Sequence, residues 1–392
     1  MRLWQGALAV VLVTVGALML AWFPSWIPHA TVYNNYVFLA DALMHGHVWI
    51  APPGPWIDAL SYNGAYYVIE GPMPAILLLP AIPIWGLLIN QTLLSFALTA
   101  LATAAGWMLA QRLGTPVRSR IVLTLFLLFG TDLFFCGVYG DVWYLAHVSA
   151  VCFTLFALVE VTGKKRGWLV MLWAICAAFS RFSLVLAIPV YVFLLMHDVD
   201  REARRSRLIG AGALALAGVA LWIAYNQARW GVWYDVGYTA WYHQDTAGQP
   251  TGSPFRPEYL PMQLYAFFVL PPQILQTFPY VAPTQYGLAL PYTSPGLLLA
   301  FFARRPVVLV LALWSATLLT AAPNFLYYVI GFTQFGMRHA LDFEPFLFAL
   351  MCLSARNGLR WWGNVLCLYS AAAGIWGVWF WNTFVRHTYV HG

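Results

Sequence analysis

Charge is what this sequence has least of. Only 9% of its 392 residues are Asp, Glu, Lys or Arg, 61% are hydrophobic, and the mean hydropathy is +0.70. Soluble domains carry about 25% charged residues, so the shortage excludes an ordinary water-soluble globule. Ten-residue stretches of polar–apolar alternation are lacking too, which disfavours a membrane β-barrel. Cysteine is scarce. Cys136, Cys152, Cys176, Cys352 and Cys367 lie inside apolar runs without CxxC spacing, and read as small core residues, not as disulfides or metal ligands. No internal repeat, low-complexity tract or separate soluble domain interrupts the chain. What is present is a series of apolar runs near 20 residues, each long enough to cross a bilayer core as a helix. The 20 tryptophans and 21 tyrosines suit long interfacial segments, because their rings favour the headgroup level.

The start, MRLWQGALAVVLVTVGALMLAWFPSW, has the charged-then-apolar look of a signal peptide. Its apolar run is too long and no small-x-small cleavage site follows, so it reads as a retained first span. The formal charge of +6 would suit nucleic acid if it were spread over one surface, but its distribution is a topology signal. Arg2, Arg112/Arg118/Arg120, Lys164/Lys165/Arg166, Arg201/Arg204/Arg205/Arg207, Arg304/Arg305 and Arg356/Arg360 make 15 of the 20 basic residues and fall in short loops, which places those loops in the cytoplasm. Spans are expected near 4–26, 90–111, 119–138, 142–162, 167–180, 182–197, 208–226, 287–303, 306–329, 342–355 and 360–383. These eleven crossings put the N-terminus inside and the C-terminus outside. The stretch 74–88, PAILLLPAIPIWGLL, carries three prolines that break a regular spanning helix, so it reads as a short re-entrant or surface helix on the outer face. The expected architecture is a single all-α polytopic domain over 1–392, with long outer loops at 27–89 and 227–286.

Acid collects outside: ten of the 14 Asp and Glu lie in outer loops or at outer span ends, with Arg181, Arg229, Arg256, Arg338 and Arg386. In the first loop, Val32, Tyr36, Leu39 and Leu43 fall at helical spacing with Asn34, Asn35 and Asp41 off the stripe, as in a surface helix. SYNGAYY predicts a tight hairpin at Asn63-Gly64, leaving Asp58 at the membrane surface. Arg181, in SRFSLVLAIP, stands between two spans too close for a real loop, and an ionisable residue there is a functional hypothesis by default. Arg338, in GMRHALDFEPFLF, has His339, Asp342 and Glu344 within two turns. It reads either as a site cation or as an i,i+4 partner of Asp342. His147 sits one turn inside the membrane, either as hydrogen-bonded structure or as a catalyst. His45-Gly46-His47 is a weak metal signal, because i,i+2 residues on a helix diverge. Carboxylates facing arginines between greasy walls suit a reaction of a lipid-borne phosphate, with arginine stabilising the leaving group and a carboxylate as base.

The order of these features resembles the GT-C glycosyltransferases that use polyprenyl-phosphate sugars, such as protein O-mannosyltransferases and lipid A aminoarabinose transferases. YVFLADALMHGHVW is similar to their first-loop helix, and GAYYVIEGPMPAILLLPAIPIWG to their proline-entered broken helix. SRFSLVLAIP and GMRHALDFEPFLFAL resemble their later basic motifs. Two departures stand out. YNNY occupies the place of an acidic pair after the first span, leaving Asp41 and Asp58 as the nearest acids. Glu70-Gly71-Pro72 replaces a lysine before paired prolines, so the phosphate role passes to Arg181 or Arg338. The resemblance implies an enzyme of a bacterial inner membrane, working on the outer face. It would move a sugar from a polyprenyl-phosphate donor to a lipid, glycan or protein acceptor, with inversion. Asp58 or Asp41 would be the base, and Arg181, Arg338, Glu70, His147, His339, Tyr66 and Tyr67 would bind substrate. No metal ligands are assigned, although a divalent ion is compatible with the family, and no nucleic acid is expected. A flippase for a lipid-linked glycan, or a catalytically degenerate subunit, is the alternative. The flippase reading requires polar groups at span centres, where this chain has almost none.

Overall fold

The computed structural model describes residues 3–22, 33–51, 54, 57–246 and 252–385. The end of the first expected span at 23–26, the parts of the two long loops at 27–32, 52–53, 55–56 and 247–251, and Arg2 and Arg386 lie outside the described residues. Helix α1 (Leu3–Trp22) lies along α5 (Gln91–Arg112), and between them come α2 (Asn35–Met44), a hairpin of β1 (Leu60–Tyr62) and β2 (Ala65–Tyr67), and the short α3 (Met73–Leu78) and α4 (Ile82–Trp85). The hairpin turns where expected, with Asn63 and Gly64 at φ of 48° and 80°, the pair of positive values that a type I′ turn requires. The proline-rich stretch after it is broken as expected: 3-10 turns at Leu79–Ala81 and Gly86–Leu88 interrupt α3 and α4, since Pro74, Pro80 and Pro83 cannot donate to a helix.

Helices α6 (Val117–Phe129) and α7 (Leu133–Tyr139) are one apolar segment bent by 50°. At the bend the Thr131 hydroxyl donates to the Leu127 carbonyl at 2.7 Å and accepts from the Leu133 amide at 3.2 Å, which ends one helix and starts the next. Helix α8 (Val142–Val161) is the centre of the bundle, buried along nearly its whole length between α5 and α9 (Gly167–Ser180). Then follow α10 (Ile188–Met196), the 30-residue α11 (Arg201–Trp230), α12 (Gly237–Asp245), α13 (Leu260–Phe268), a two-residue-strand hairpin of β3 (Gln273–Ile274) and β4 (Val281–Ala282), α14 (Leu290–Thr293), α15 (Val307–Phe325), α16 (Glu344–Ser354) and α17 (Trp361–Phe380), which runs on as a π turn to Val385.

Among the described residues, α5, α8, α11, α15 and Trp361–Val385 are long and apolar enough to cross a membrane, and the bent α6–α7 pair makes a sixth. Others of the expected crossings are shorter apolar helices. The stretch 287–303 is not a regular span: α14 and a 3-10 run at Pro295–Phe302 divide it, because Pro291, Pro295 and Gly296 interrupt the ladder. Likewise 342–355 shrinks to α16, which starts only at Glu344-Pro345. The outward faces of α1 and α11 are bare leucine, isoleucine and valine, such as Leu8, Leu12, Leu216 and Val219, the surface that lipid wets without cost.

The basic loops gather at one end of the bundle. Arg112 donates to the Val159 carbonyl, Lys165 to His197 at 3.1 Å, Arg207 to Leu195 at 3.3 Å, and Arg356 to both Leu113 and Arg305 at 2.7 and 3.2 Å. These bonds tie the ends of α5, α8, α10, α15 and α16 into one basic layer. From it α9 and α15 run away to Arg181 and Asn324, and α8 returns from His147. The polar residues at those far ends share a cavity.

Candidate active site

Arg181 is carried to the cavity by a helix that stops. Helix α9 ends at Ser180, whose hydroxyl donates back to the Cys176 carbonyl and meets Ser149 across the bundle at 2.7 Å. Arg181 is extended (φ −142°, ψ 112°), and a 3-10 run at Phe182–Ala187 follows until Ile188-Pro189 restarts the helix. The guanidinium binds the carboxylate of Asp342 twice, Nε at 3.2 Å to Oδ1 and Nη2 at 3.1 Å to Oδ2. Asp342 is fully buried and also accepts from the Ser183 hydroxyl at 2.6 Å and the Asn324 amide at 3.1 Å, while His147 Nδ1 lies 3.1 Å from its Oδ1. His339 lies 3.3 Å from Arg181 and stands edge-on to His147, with ring centres 5.4 Å apart. Arg181 is therefore an answered charge, neutralised by Asp342.

Arg338 is held differently. It does not pair with Asp342, because residues 338–342 form a 3-10 turn. With about three residues per turn, positions i and i+4 there point about 120° apart around the axis instead of stacking. Its Nη1 donates to the amide oxygen of Gln334 at 2.6 Å and to the Phe332 carbonyl at 3.2 Å, and the group stands 5.7 Å over the ring of Tyr144. Among the described residues no carboxylate lies within ion-pair distance of it. Gln334 is completely buried and locked by its own donation to the Tyr286 carbonyl at 2.8 Å. An orientation is fixed while the positive charge is left in place.

The opposite wall comes from the first loop. Asn35, buried on α2 rather than turned outward, donates to the Asp58 backbone carbonyl at 2.6 Å and holds that strand of chain against the bundle. The Asp58 carboxylate then accepts from Trp143 Nε1 at 2.8 Å. Burial is the larger influence and lifts its pKa to about 6 despite that hydrogen bond. Glu70, 5% exposed, has one carboxyl oxygen without a partner among the described residues, and burial together with the charge of Asp58 pushes its pKa up to about 8. The next residue, Gly71, lies on the backbone of Phe179 and Ser180 at the end of α9, where a Cβ would strike the Phe179 carbonyl. The acid wall and the start of Arg181 are thereby in contact.

These groups line one cavity of about 2260 Å³, which takes in Asp58, Tyr66, Glu70, His147, Arg181, Arg338 and His339. Two expected residues are elsewhere. Asp41 is half-exposed on α2 with its carboxylate 3.7 Å from His45, and does not border the cavity. Tyr67 packs on Trp230 with ring centres 4.9 Å apart, since alternate residues of β2 face opposite ways and Tyr66 takes the cavity side. Residues that sequence reasoning passed over are Ser183, Asn324, Gln334 and Trp143. Each was an unremarked polar or aromatic side chain at the end of an apolar run; only Asn324, next to Pro323 inside a span, carried a local signal. Arg229, expected as an outer cation, is a buried strut bonded to Asp235 at 3.3 Å and Asn226 at 2.9 Å. Among the described residues no three His, Cys, Asp or Glu converge on a point where a metal would sit.

No protein-family model and no curated protein matches the chain. Its fold is similar to that of a solved structure, ArnT from Cupriavidus metallidurans bound to undecaprenyl phosphate, with a TM-score of 0.53 at 15% sequence identity over 88% of this chain and 59% of that one. The chain thus spans about three-fifths of the length of that protein. The resemblance implied a fold of this kind, and the likeness to that structure is one of fold.

Proposed function

We propose that the protein is a membrane glycosyltransferase that takes a sugar from a polyprenyl-phosphate donor and places it on an acceptor hydroxyl at the outer face of a bacterial inner membrane. The observation that carries this reading is Arg338, a buried arginine aimed into a large cavity with neutral acceptors behind it and a partly buried carboxylate across from it. A buried cation with no carboxylate in ion-pair contact among the described residues is costly, and a lipid phosphate would supply a direct counter-charge. The fold likeness to a protein bound to undecaprenyl phosphate supports the donor class. The gathering of basic loops at the far end of the bundle supports an extracytoplasmic cavity.

In this mechanism Arg338 binds the phosphate and stabilises the charge that grows on it as the bond from the anomeric carbon to the phosphate oxygen breaks. The acceptor oxygen forms the new bond to that carbon from the opposite face, which inverts its configuration. Asp58 takes the hydroxyl proton. A base with a pKa near 6 is ionised at neutral pH and still basic enough to accept a proton, the compromise that general base catalysis favours. Glu70, which keeps its proton at neutral pH, offers a hydrogen bond to a sugar hydroxyl. Arg181 and Asp342 with Ser183, Asn324 and His147 form the rigid floor on which the phosphate site rests. Asp41 has no part. Purified protein given a panel of polyprenyl-phosphate sugars and mixed acceptors should release polyprenyl phosphate with at least one of them. Flipping of a lipid-linked glycan in vesicles without any transfer, or no binding of polyprenyl phosphate at all, would overturn the assignment.

A further inference from the structure

The cavity is far larger than a sugar phosphate requires, since sites for drug-sized ligands occupy about 300–1,000 Å³. Charge is spread unevenly around it. Arg181, Arg338 and Asp141, at the start of α8, border one part, Glu70 keeps its proton, and the part formed by α12 and the chain before the hairpin is bordered by the carboxylates of Asp58, Asp235 and Asp245. At the mouth, Phe255, Tyr327 and Tyr328 form a continuous aromatic wall, with successive ring centres 5.1 and 4.9 Å apart. Tyr66, from the hairpin, adds another exposed ring. The Tyr328 hydroxyl donates to the carboxylate of Asp245 at 2.9 Å and so aims it. Helix α12, which carries Asp245, is pinned to the hairpin by Gln244, whose side chain accepts from the Ser61 amide at 2.9 Å and donates to the Ala59 carbonyl at 3.4 Å. The mouth is built from parts that are already tied down, and the nearby rim cation, Arg256, is engaged with Glu258 at 3.2 Å.

From this geometry we infer that the acceptor is a neutral glycan, a chain of hydroxyl-bearing sugars without anionic groups, seated on the Phe255–Tyr327–Tyr328 wall with its hydroxyls toward Asp245 and Asp58. The inference rests on the glycosyltransferase reading and adds the acceptor class to it. Sugar rings present C–H faces that pack on aromatic rings, and their hydroxyls make charge-assisted bonds to carboxylates. An acidic acceptor would instead bring like charges into a partly desolvated mouth where, among the described residues, the nearby cation Arg256 is already engaged with Glu258. Within the same cavity, one buried oxygen of Glu70 and Nε2 of His339 have no hydrogen-bond partner among the described residues and are free to meet a ligand.

The test uses the full-length protein in detergent and follows tryptophan emission, because Trp143 and Trp241 border the cavity. Three probes are titrated: undecaprenyl phosphate, a neutral hexasaccharide of hexoses, and a hexasaccharide of uronic acids. The neutral hexasaccharide, free or carried on a lipid, should bind at least tenfold tighter than the uronate. A preference for the lipid-carried form alone would identify the source as a lipid-linked glycan. Tyr328→Ala should weaken the neutral glycan about five- to tenfold, the range of one lost aromatic contact, while undecaprenyl phosphate still binds. Asp245→Lys should reverse the preference toward the uronate. Binding of undecaprenyl phosphate together with equal or tighter binding of the uronate would overturn the inference and leave the donor assignment standing. Failure of undecaprenyl phosphate itself would bring down both.

Discussion

The break after α9 and the segment before α16 each push an arginine toward the same cavity, and they differ in what answers it. Arg181 meets the carboxylate of Asp342, which is itself bound by Ser183 and Asn324. Arg338 meets the amide of Gln334 and a backbone carbonyl. Both arrangements fix a guanidinium in space. The first also cancels its charge, so it serves as a joint between helices. The second preserves the charge, at a cost in stability that an anionic ligand would offset. Position near a cavity is therefore a weaker guide to ligand binding than the chemistry behind the side chain.

The largest effect should come from breaking the joint. Asp342→Ala strands Arg181 and should cost about 3–5 kcal/mol, seen as a large fall in the denaturation midpoint in mixed micelles. Arg338→Ala should leave the midpoint unchanged or higher, yet reduce kcat/KM for a polyprenyl-phosphate sugar by about 10²–10³-fold, the loss typical of a removed anion-stabilising donor. Equal destabilisation by the two changes would erase the distinction drawn here. Asp58→Asn should lower kcat about a hundredfold without weakening donor binding. In the wild type the same group sets the acid limb: kcat/KM should fall tenfold per pH unit below about 6, as the base becomes protonated, and the limb should vanish in the variant. Gln334→Glu makes the Arg338 segment resemble the Arg181 joint, and should weaken undecaprenyl phosphate about tenfold at undiminished stability. The smallest effect concerns Glu70. Its folded pKa of about 8 lies above the ordinary 4.5, so the folded state holds the extra proton and stability declines as pH rises between those values. Melting temperatures should show that slope in the wild type and lose it in Glu70→Gln.

Much of this was legible in the sequence because it depends on local pattern. Apolar length announces the membrane, prolines announce the broken helix at 74–88, and Asn63-Gly64 announces the hairpin. Arg181 was conspicuous for the same reason, as a cation where two apolar runs nearly touch. What stayed hidden depends on distance along the chain or on a change of helical period. The partner of Asp342 lies 161 residues away, and its sequence neighbour Arg338 is the wrong one because the intervening turn is 3-10. Asn35 was assigned to the watery side by an α-helical stripe, although a backbone carbonyl 23 residues on gives it a reason to be buried. Asp41 looked equivalent to Asp58 as an acid of the first loop. Only packing separates a carboxylate beside a histidine at the surface from one held by an indole inside.

The contact of Gly71 with the backbone at the end of α9 also fixes a length. Bilayers differ in thickness, and spanning helices respond by tilting or sinking. A loop that merely floated on the headgroups would rise and fall with them, and a base carried on it would drift relative to cations anchored in the helices. Here the loop rests backbone on backbone against the residues that lead into Arg181, so the gap across the site is measured within the protein. The chemistry should keep its geometry in thin and thick membranes alike.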